Sequence, residues 1–253
     1  MPILRWTMER VSDHLVFKRR MPRQFGGRPI YVTPGSALKY WRLDLGRIDP
    51  DLLRFVQTYV HPGHQVWDIG ANVGLLSFAA AGLTGTQGGV LAIEPDTRLV
   101  EVIRKSLRLQ ENADLRLDVL PVSVASDLGI SHFHIAARGR SANHLAVAKG
   151  SSQTGGTSTT YPVVTVTLDW LLEKYGKPDI IKIDVEGAEH LVMQGGERVL
   201  RDARPVFLCE VSDFNSPFIS DLFKKNHYQI FDWEKNDNKP VDLAPFSTLA
   251  LPR

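Results

Sequence analysis

The sequence predicts an α/β fold in which a doubly wound, mostly parallel seven-stranded sheet carries helices on both faces, with an N-terminal cap in front. From about Gln65 onward, short strand-like runs alternate with longer helical patterns, the signature of a mainly parallel sheet. Several runs, such as Ile180-Ile181-Lys182-Ile183, are nearly continuously apolar, as expected when both sheet faces are covered. The first run leads through Asp68-Ile69-Gly70-Ala71-Asn72-Val73-Gly74 into the apolar stretch Leu75-Leu76-Ser77-Phe78. Such a strand–turn–helix cradles a nucleotide-like ligand at the carboxyl end of a first strand, which makes the fold Rossmann-like.

Residues 1–48 stand outside the alternation. Gly26-Gly27-Arg28-Pro29 and Thr33-Pro34-Gly35 are turn signals, and this stretch reads as a cap without a core of its own. The main domain spans 49–253. Asp49-Pro50-Asp51 can open a helix through Leu52, Leu53 and Val56. Strands are expected at 65–69, 90–94, 115–120, 179–184, 206–211 and 228–232, with a last one near 248–252. Helices are expected at 74–83, 97–110, 167–175, 187–201 and 216–226. In the second of these, Leu99, Val100, Ile103 and Leu107 recur at helical spacing, while Arg104, Lys105 and Arg108 take the outer face. Residues 149–160 form a Gly/Ser/Thr tract without apolar anchors and read as a mobile loop, either a substrate lid or an idle insertion.

Composition narrows the class. A chain of 253 residues suits one large domain, and its 43% hydrophobic and 23% charged content is ordinary for a globular protein. The net charge of +2 offers no phosphate-tracking surface, so nucleic acid is not an expected partner. Lys18-Arg19-Arg20, with Arg23 and Arg28, reads as a solvated basic surface. No apolar run is long enough to span a bilayer, and charged residues interrupt the N-terminus where a signal peptide would need an apolar core. Cys209, the single cysteine, lies in the apolar run Val206-Phe207-Leu208-Cys209 and reads as a core residue in a reducing compartment. The expected location is the cytoplasm, and a homodimer is compatible with this composition.

The first turn carries chemistry. A dinucleotide site would show Gly-x-Gly-x-x-Gly beneath a pyrophosphate. Here the pattern is Asp-x-Gly-x-Asn-x-Gly, and a carboxylate two residues before the first glycine suits a cationic aminoacyl end and repels a pyrophosphate. This points to S-adenosylmethionine. Gly70 and Gly74 give the backbone its close approach, and the helix behind them aims its amides at the ligand. Glu94 ends the second strand, where a carboxylate accepts hydrogen bonds from both ribose hydroxyls. In Lys182-Ile183-Asp184-Val185-Glu186-Gly187-Ala188-Glu189, Asp184 either N-caps the following helix or faces the reacting groups. Glu186 and Glu189 sit where they can complement the helix dipole. Glu210 ends another central strand and should open onto the same crevice.

The strings Val66–Gly74, Ala92-Ile93-Glu94-Pro95, Val124-Ala125-Ser126-Asp127, Thr167–Leu172, Ile181–Glu189 and Phe207–Val211 together resemble the FkbM family of methyltransferases, over about residues 49–212. The resemblance implies the class I S-adenosylmethionine-dependent fold, seven strands with one antiparallel, and methyl transfer to a hydroxyl oxygen of a sugar, glycoside, polyketide or other secondary metabolite. It implies that Asp68, Gly70, Asn72 and Gly74 hold the methionine end, that Glu94 holds the ribose, and that Ser123 to Ala125 flank the adenine. Val124 replaces a small alanine of the family pattern. Asp184 would face both cofactor and acceptor. For the base, Asp184 and Glu210 are the leading candidates, followed by His144 in the polar turn Ser141-Ala142-Asn143-His144, and His190. Asp184, Glu186 and Glu210 could instead hold a divalent cation, although their spacing predicts no metal site. The competing functions are methyl transfer to nitrogen of a small molecule or protein, and a non-catalytic protein that keeps the cofactor fold. Asp184-Val185-Glu186-Gly187 stands where nucleic-acid amino-methylating enzymes carry Asn-Pro-Pro-aromatic.

Overall fold

A computed structural model describes residues 15–136, 144–145 and 157–253. In chain order the elements are β1 (Phe17–Arg20), β2 (Pro29–Val32), α1 (Pro50–Tyr59), β3 (Gln65–Ile69), α2 (Leu75–Thr84), β4 (Gly89–Ile93), α3 (Thr97–Leu107) and β5 (Leu117–Leu120). There follow β6 (Ser123–Val124), β7 (Gly129–Ala136), β8 (His144–Leu145), β9 (Thr157–Val166), α4 (Leu168–Tyr175) and β10 (Ile180–Ile183). The last are α5 (Glu189–Gln194), β11 (Val206–Glu210), α6 (Ser216–Lys225), β12 (Tyr228–Asp232) and β13 (Ser247–Pro252).

The main sheet has seven strands in the order β12-β13-β11-β10-β3-β4-β5. Neighbours from β11 to β5 run parallel, and β13 is antiparallel to both β11 and β12. Side chains alternate across it as a pleated strand requires. Val66 and Ile180 join the core beneath α1, α2 and α3, whereas Trp67, Ile69, Ile181 and Ile183 join the one beneath α4, α5 and α6. Register sets Lys182 beside Asp68.

The N-terminal segment belongs to the first of these cores, in which Phe25, Ile30, Val32, Tyr40 and Leu45 are buried together with α2 and α3. Its approach to α2 is so close that a Cβ on Gly82 would meet the Phe25 carbonyl oxygen at 2.3 Å. Asp49 caps α1 by accepting from the Leu52 amide, with Pro50 in the first turn, as expected.

Three features depart from the sequence expectation. The helix expected over 187–201 stops at Gln194, and a separate π-helical turn follows at Val199–Ala203. Gly195 and Gly196 lie at the break and pack against neighbours that exclude a side chain. A Cβ on Gly195 would reach the Ala125 carbonyl at 2.4 Å. Second, the stretch read as a loop over 149–160 becomes strand from Thr157, while 149–156 lie outside the described residues. Third, β6, β9, β7 and β8 form a four-stranded sheet that the sequence reading did not anticipate.

Candidate active site

The chain leaves β3 toward β4 and β5 on one side, and leaves β10 toward β11 on the other. This makes the carboxyl ends of β3 and β10 a topological switch point, where open α/β sheets bind ligands. Backbone approach is closest there. Gly70 adopts φ 75°, and a Cβ on it would stand 1.8 Å from the carbonyl oxygen of Asp184. The Ile93 carbonyl accepts from the amides of Gly70 and Ala71, which binds the turn to the end of β4. Gly74, at φ 83°, turns the chain into α2. Asn72 holds φ 54°, a left-handed conformation that asparagine tolerates better than most residues.

A cleft of about 540 Å3, including its open mouth, lies over this point. Of the residues singled out in the sequence, Gly70, Asn72, Glu94, Ser123, Val124, Asp184 and Glu186 line it. Asp68, Gly74 and Glu210 do not, so Glu210 does not open onto this cleft as the sequence led one to expect. Gly74 packs behind the turn against Phe78. Asp68 is buried beneath it, where its Oδ2 accepts from Ser77 Oγ and its Oδ1 lies 3.3 Å from Lys182 Nζ with no hydrogen-bond partner among the described residues.

Lys182 is a site residue that the sequence reading missed. Its ammonium is buried in the sheet, donates to the Gly70 carbonyl at 2.8 Å, and stands 3.4 Å from Asp184 Oδ2. Burial opposes its charge, but the carboxylates of Asp68, Asp184 and Glu210 outweigh that and hold it above its ordinary value. Phe133 of β7 and Val122 also line the cleft and were not foreseen. Over the same region, Tyr161 of β9 donates its hydroxyl to the Pro95 carbonyl at 3.0 Å, and its ring packs on Phe133.

The acids differ in environment. Glu94 accepts at both oxygens, from the amides of Asn72 and Asp96, each at 2.8 Å. Burial nevertheless pushes its carboxyl up to about 8, with the two amide hydrogen bonds opposing. Burial, and then the charge of Asp184, push Glu186 and Glu210 up to about 8 as well. Glu186 sits at φ 51° in the turn before Gly187, an uncommon conformation for a glutamate beside a cleft.

Asp184 does not cap α5. That helix begins at Glu189 after Ala188, which offers no side-chain cap, and Asp184 pairs with Lys182. Glu189 is buried and structural, accepting from the Gly187 amide, Ser212 Oγ and Asn215 Nδ2. Glu210 follows Cys209, the register partner of Ile183, so Asp184 and Glu210 end neighbouring strands. His190 lies on α5 with a buried Nδ1 lacking a partner among the described residues. His144 pairs with His134 in the small sheet, and its side chain is outside the described residues. No three His, Cys, Asp or Glu side chains among the described residues converge as metal ligands would, and this includes Asp184, Glu186 and Glu210. Likewise, no described helix is long and apolar enough to cross a membrane.

Comparison with known proteins gives this geometry a family. The hexuronic acid methyltransferase AglP of Haloferax volcanii is 26% identical over 196 residues, covering 74% of this chain and 73% of that protein. Among solved structures, methyltransferase FkbM from Methylobacillus flagellatus KT aligns with a TM-score of 0.49 at 16% identity, across 74% of this chain and 43% of that one. This chain therefore spans less than half the length of that chain. TYW2 of P. horikoshii, in complex with MeSAdo, aligns with a TM-score of 0.47 at 12% identity, across 93% of this chain and 69% of that one. The family model of the methyltransferase FkbM domain matches residues 68–237, more than half of the sequence, and the chain belongs to that methyltransferase family.

Proposed function

We propose that this protein is an S-adenosylmethionine-dependent O-methyltransferase acting on a hydroxyl group of a small molecule, with a sugar as the first candidate. The sugar follows from the likeness to a relative named as a hexuronic acid methyltransferase. The observation that carries the reading is the switch-point cleft, in which a glycine turn and the Glu94 carboxylate meet across two neighbouring strands. In our division of the chain, residues 1–48 are a cap on a catalytic domain of 49–253.

The residues fit the cofactor. Gly70, Asn72 and Gly74 form a turn of left-handed backbone that brings main chain close to the ligand. Asp68 supplies negative charge beneath it, its Oδ1 ion-paired with Lys182 and lacking a hydrogen-bond partner among the described residues. Glu94 is aimed to accept from ribose hydroxyls. Ser123 and Val124, with Phe133, form the half-apolar wall that an adenine ring needs. When bound, the cofactor supplies an electrophilic methyl group on a sulfonium.

The chain's own residues align and activate the acceptor. Holding the acceptor oxygen in line, about 3 Å from its target, is worth roughly 7–11 kcal/mol. Glu210 is our choice for general base: it ends the strand next to that of Asp184, at the margin of the cleft lining, and burial raises its carboxyl to about 8, matched to taking a proton close to neutral pH. Asp184, fixed by Lys182, faces both substrates and orients the hydroxyl. A positioned base contributes about 10²–10⁴-fold.

The test combines calorimetry and turnover. The wild-type protein should bind S-adenosylhomocysteine and transfer labelled methyl to a sugar hydroxyl. Asp184→Asn and Glu210→Gln should keep binding and lose transfer by about 10²-fold or more. Label found on nitrogen would favour the N-methyl alternative. Binding without transfer to any acceptor would favour a non-catalytic role, and no binding at near-millimolar ligand would remove the cofactor reading.

A further inference from the structure

Ser36 lies in the N-terminal segment, completely buried and more than thirty residues before the glycine turn, yet its Oγ hydrogen-bonds Asn72 Oδ1 at 2.6 Å. We propose that Ser36 is a positioning residue for cofactor binding, latching Asn72 and through it setting Glu94. The inference rests on the cleft being the cofactor site proposed above.

The latch is rigidly mounted. After β2 the chain makes a tight turn in which the Ser36 amide donates to the Thr33 carbonyl and the Gly35 amide to Thr33 Oγ1, both at 3.1 Å. β2 is itself fastened to the α3 region. The Tyr31 amide donates to Ser106 Oγ, and Asn112 Nδ2 donates to the Pro29 carbonyl, each at 2.8 Å. A hydroxyl carried this way has little freedom of its own, so the residue it bonds is held by a frame and not by another loop.

What it holds is sensitive. Asn72 occupies a left-handed backbone conformation without the help of regular structure. Its amide is one of only two groups that hydrogen-bond the Glu94 carboxylate among the described residues, the other being the Asp96 amide. The direction in which Glu94 presents its oxygens therefore follows where the Asn72 backbone sits. The chain of bonds runs from Ser36 Oγ to the Asn72 side chain, and from the Asn72 amide to Glu94 Oε2. A segment with no part in the strand–helix alternation thus reaches the ribose end of the cleft.

A double-mutant cycle read in S-adenosylhomocysteine affinity tests this. The variants are Ser36→Ala, Asn72→Gly and the pair; glycine removes the amide side chain while accepting the same backbone angles. One hydrogen bond of ordinary worth corresponds to about a 2- to 10-fold rise in Kd. That rise is expected for Ser36→Ala in the wild-type background and should vanish in the Asn72→Gly background. The kcat of Ser36→Ala at saturating cofactor should hold. If Ser36→Ala lowers Tm but leaves Kd unchanged, or weakens binding equally in both backgrounds, the latch is overturned. Should Ser36→Ala fail to fold, Ser36→Cys, which keeps the volume and weakens the hydrogen bond, takes its place in the same cycle with the same outcomes. Failure of the wild-type protein to bind identifies a different fault, in the cofactor reading itself.

Discussion

Glu94 joins the chemistry of a single carboxyl to the stability of the protein. An ordinary glutamate near 4.5 is raised by burial to about 8, so the folded chain holds a proton there that the unfolded chain has released. The stability this contributes is present in full below pH 4.5 and is lost as the pH rises through 8. Glu186 and Glu210 act in the same direction. The melting temperature of the free protein should therefore fall between pH 5 and 8.5, with a shallower slope in Glu94→Gln, as measured by thermal denaturation across that range. Ribose hydroxyls would add donors to the ionised form, so S-adenosylhomocysteine should bind more tightly at pH 8.5 than at pH 6.5. The place of Glu94 in the cleft was legible in the sequence, because an acid ending a second strand about twenty residues past a glycine turn stands at the mouth of such a sheet. Lys182 was not. Within Ile180-Ile181-Lys182-Ile183 it looks like one polar interruption of a buried strand. Its meaning comes from Asp68 on the neighbouring strand, and local periodicity carries no information about register.

Among the elements, the small sheet of β6, β9, β7 and β8 stands out. Its strands hold β-branched and aromatic residues, but Gly and Ser/Thr clusters around them obscure the strand pattern. Its joint to the main sheet is specific. The hydroxyl of Tyr161 bonds the Pro95 carbonyl, next to Glu94, while Phe133 reaches the cleft wall. Tyr161→Phe should cost about 0.5–1.5 kcal/mol in chemical denaturation, the net worth of one hydrogen bond, and should weaken cofactor affinity a few-fold. An unchanged affinity would mean that the small sheet supports the fold without shaping the cleft. The overlong helix expected at 187–201 has a simpler cause. Its apolar spacing continues past the Gly195-Gly196 pair, but the Ala125 carbonyl occupies the place of a side chain on Gly195, and the Leu168 side chain that of one on Gly196.

In the whole molecule, the alternation of strand and helix was enough to foresee the seven strands of the main sheet within a residue or two. The role of residues 1–48 was harder to read, because their apolar residues follow neither period. Phe25, Ile30, Val32, Tyr40 and Leu45 complete the core over α2 and α3 without forming one of their own. Burying each such side chain is worth about 1.5–3 kcal/mol, an upper range since unfolded chains hide part of that surface. Five together match the roughly 5–15 kcal/mol that holds a typical domain folded. Removal of 1–48 should therefore abolish cooperative unfolding in a thermal melt. A truncated chain that melts cooperatively near the full-length temperature would make the segment a separable cap.

The antiparallel strand β13 imposes an order of events on the growing chain. It lies between β11 and β12, yet it is synthesised after both. Until residues 247–252 have left the ribosome, β11 presents an open, largely apolar edge, and β12 has no neighbour in the main sheet. The strands from β3 to β11 in the main sheet can pair as they emerge, whereas β12 must wait for β13. Nascent chains thus pass through a stage with one unfinished sheet edge, the kind of surface on which strands of other chains add.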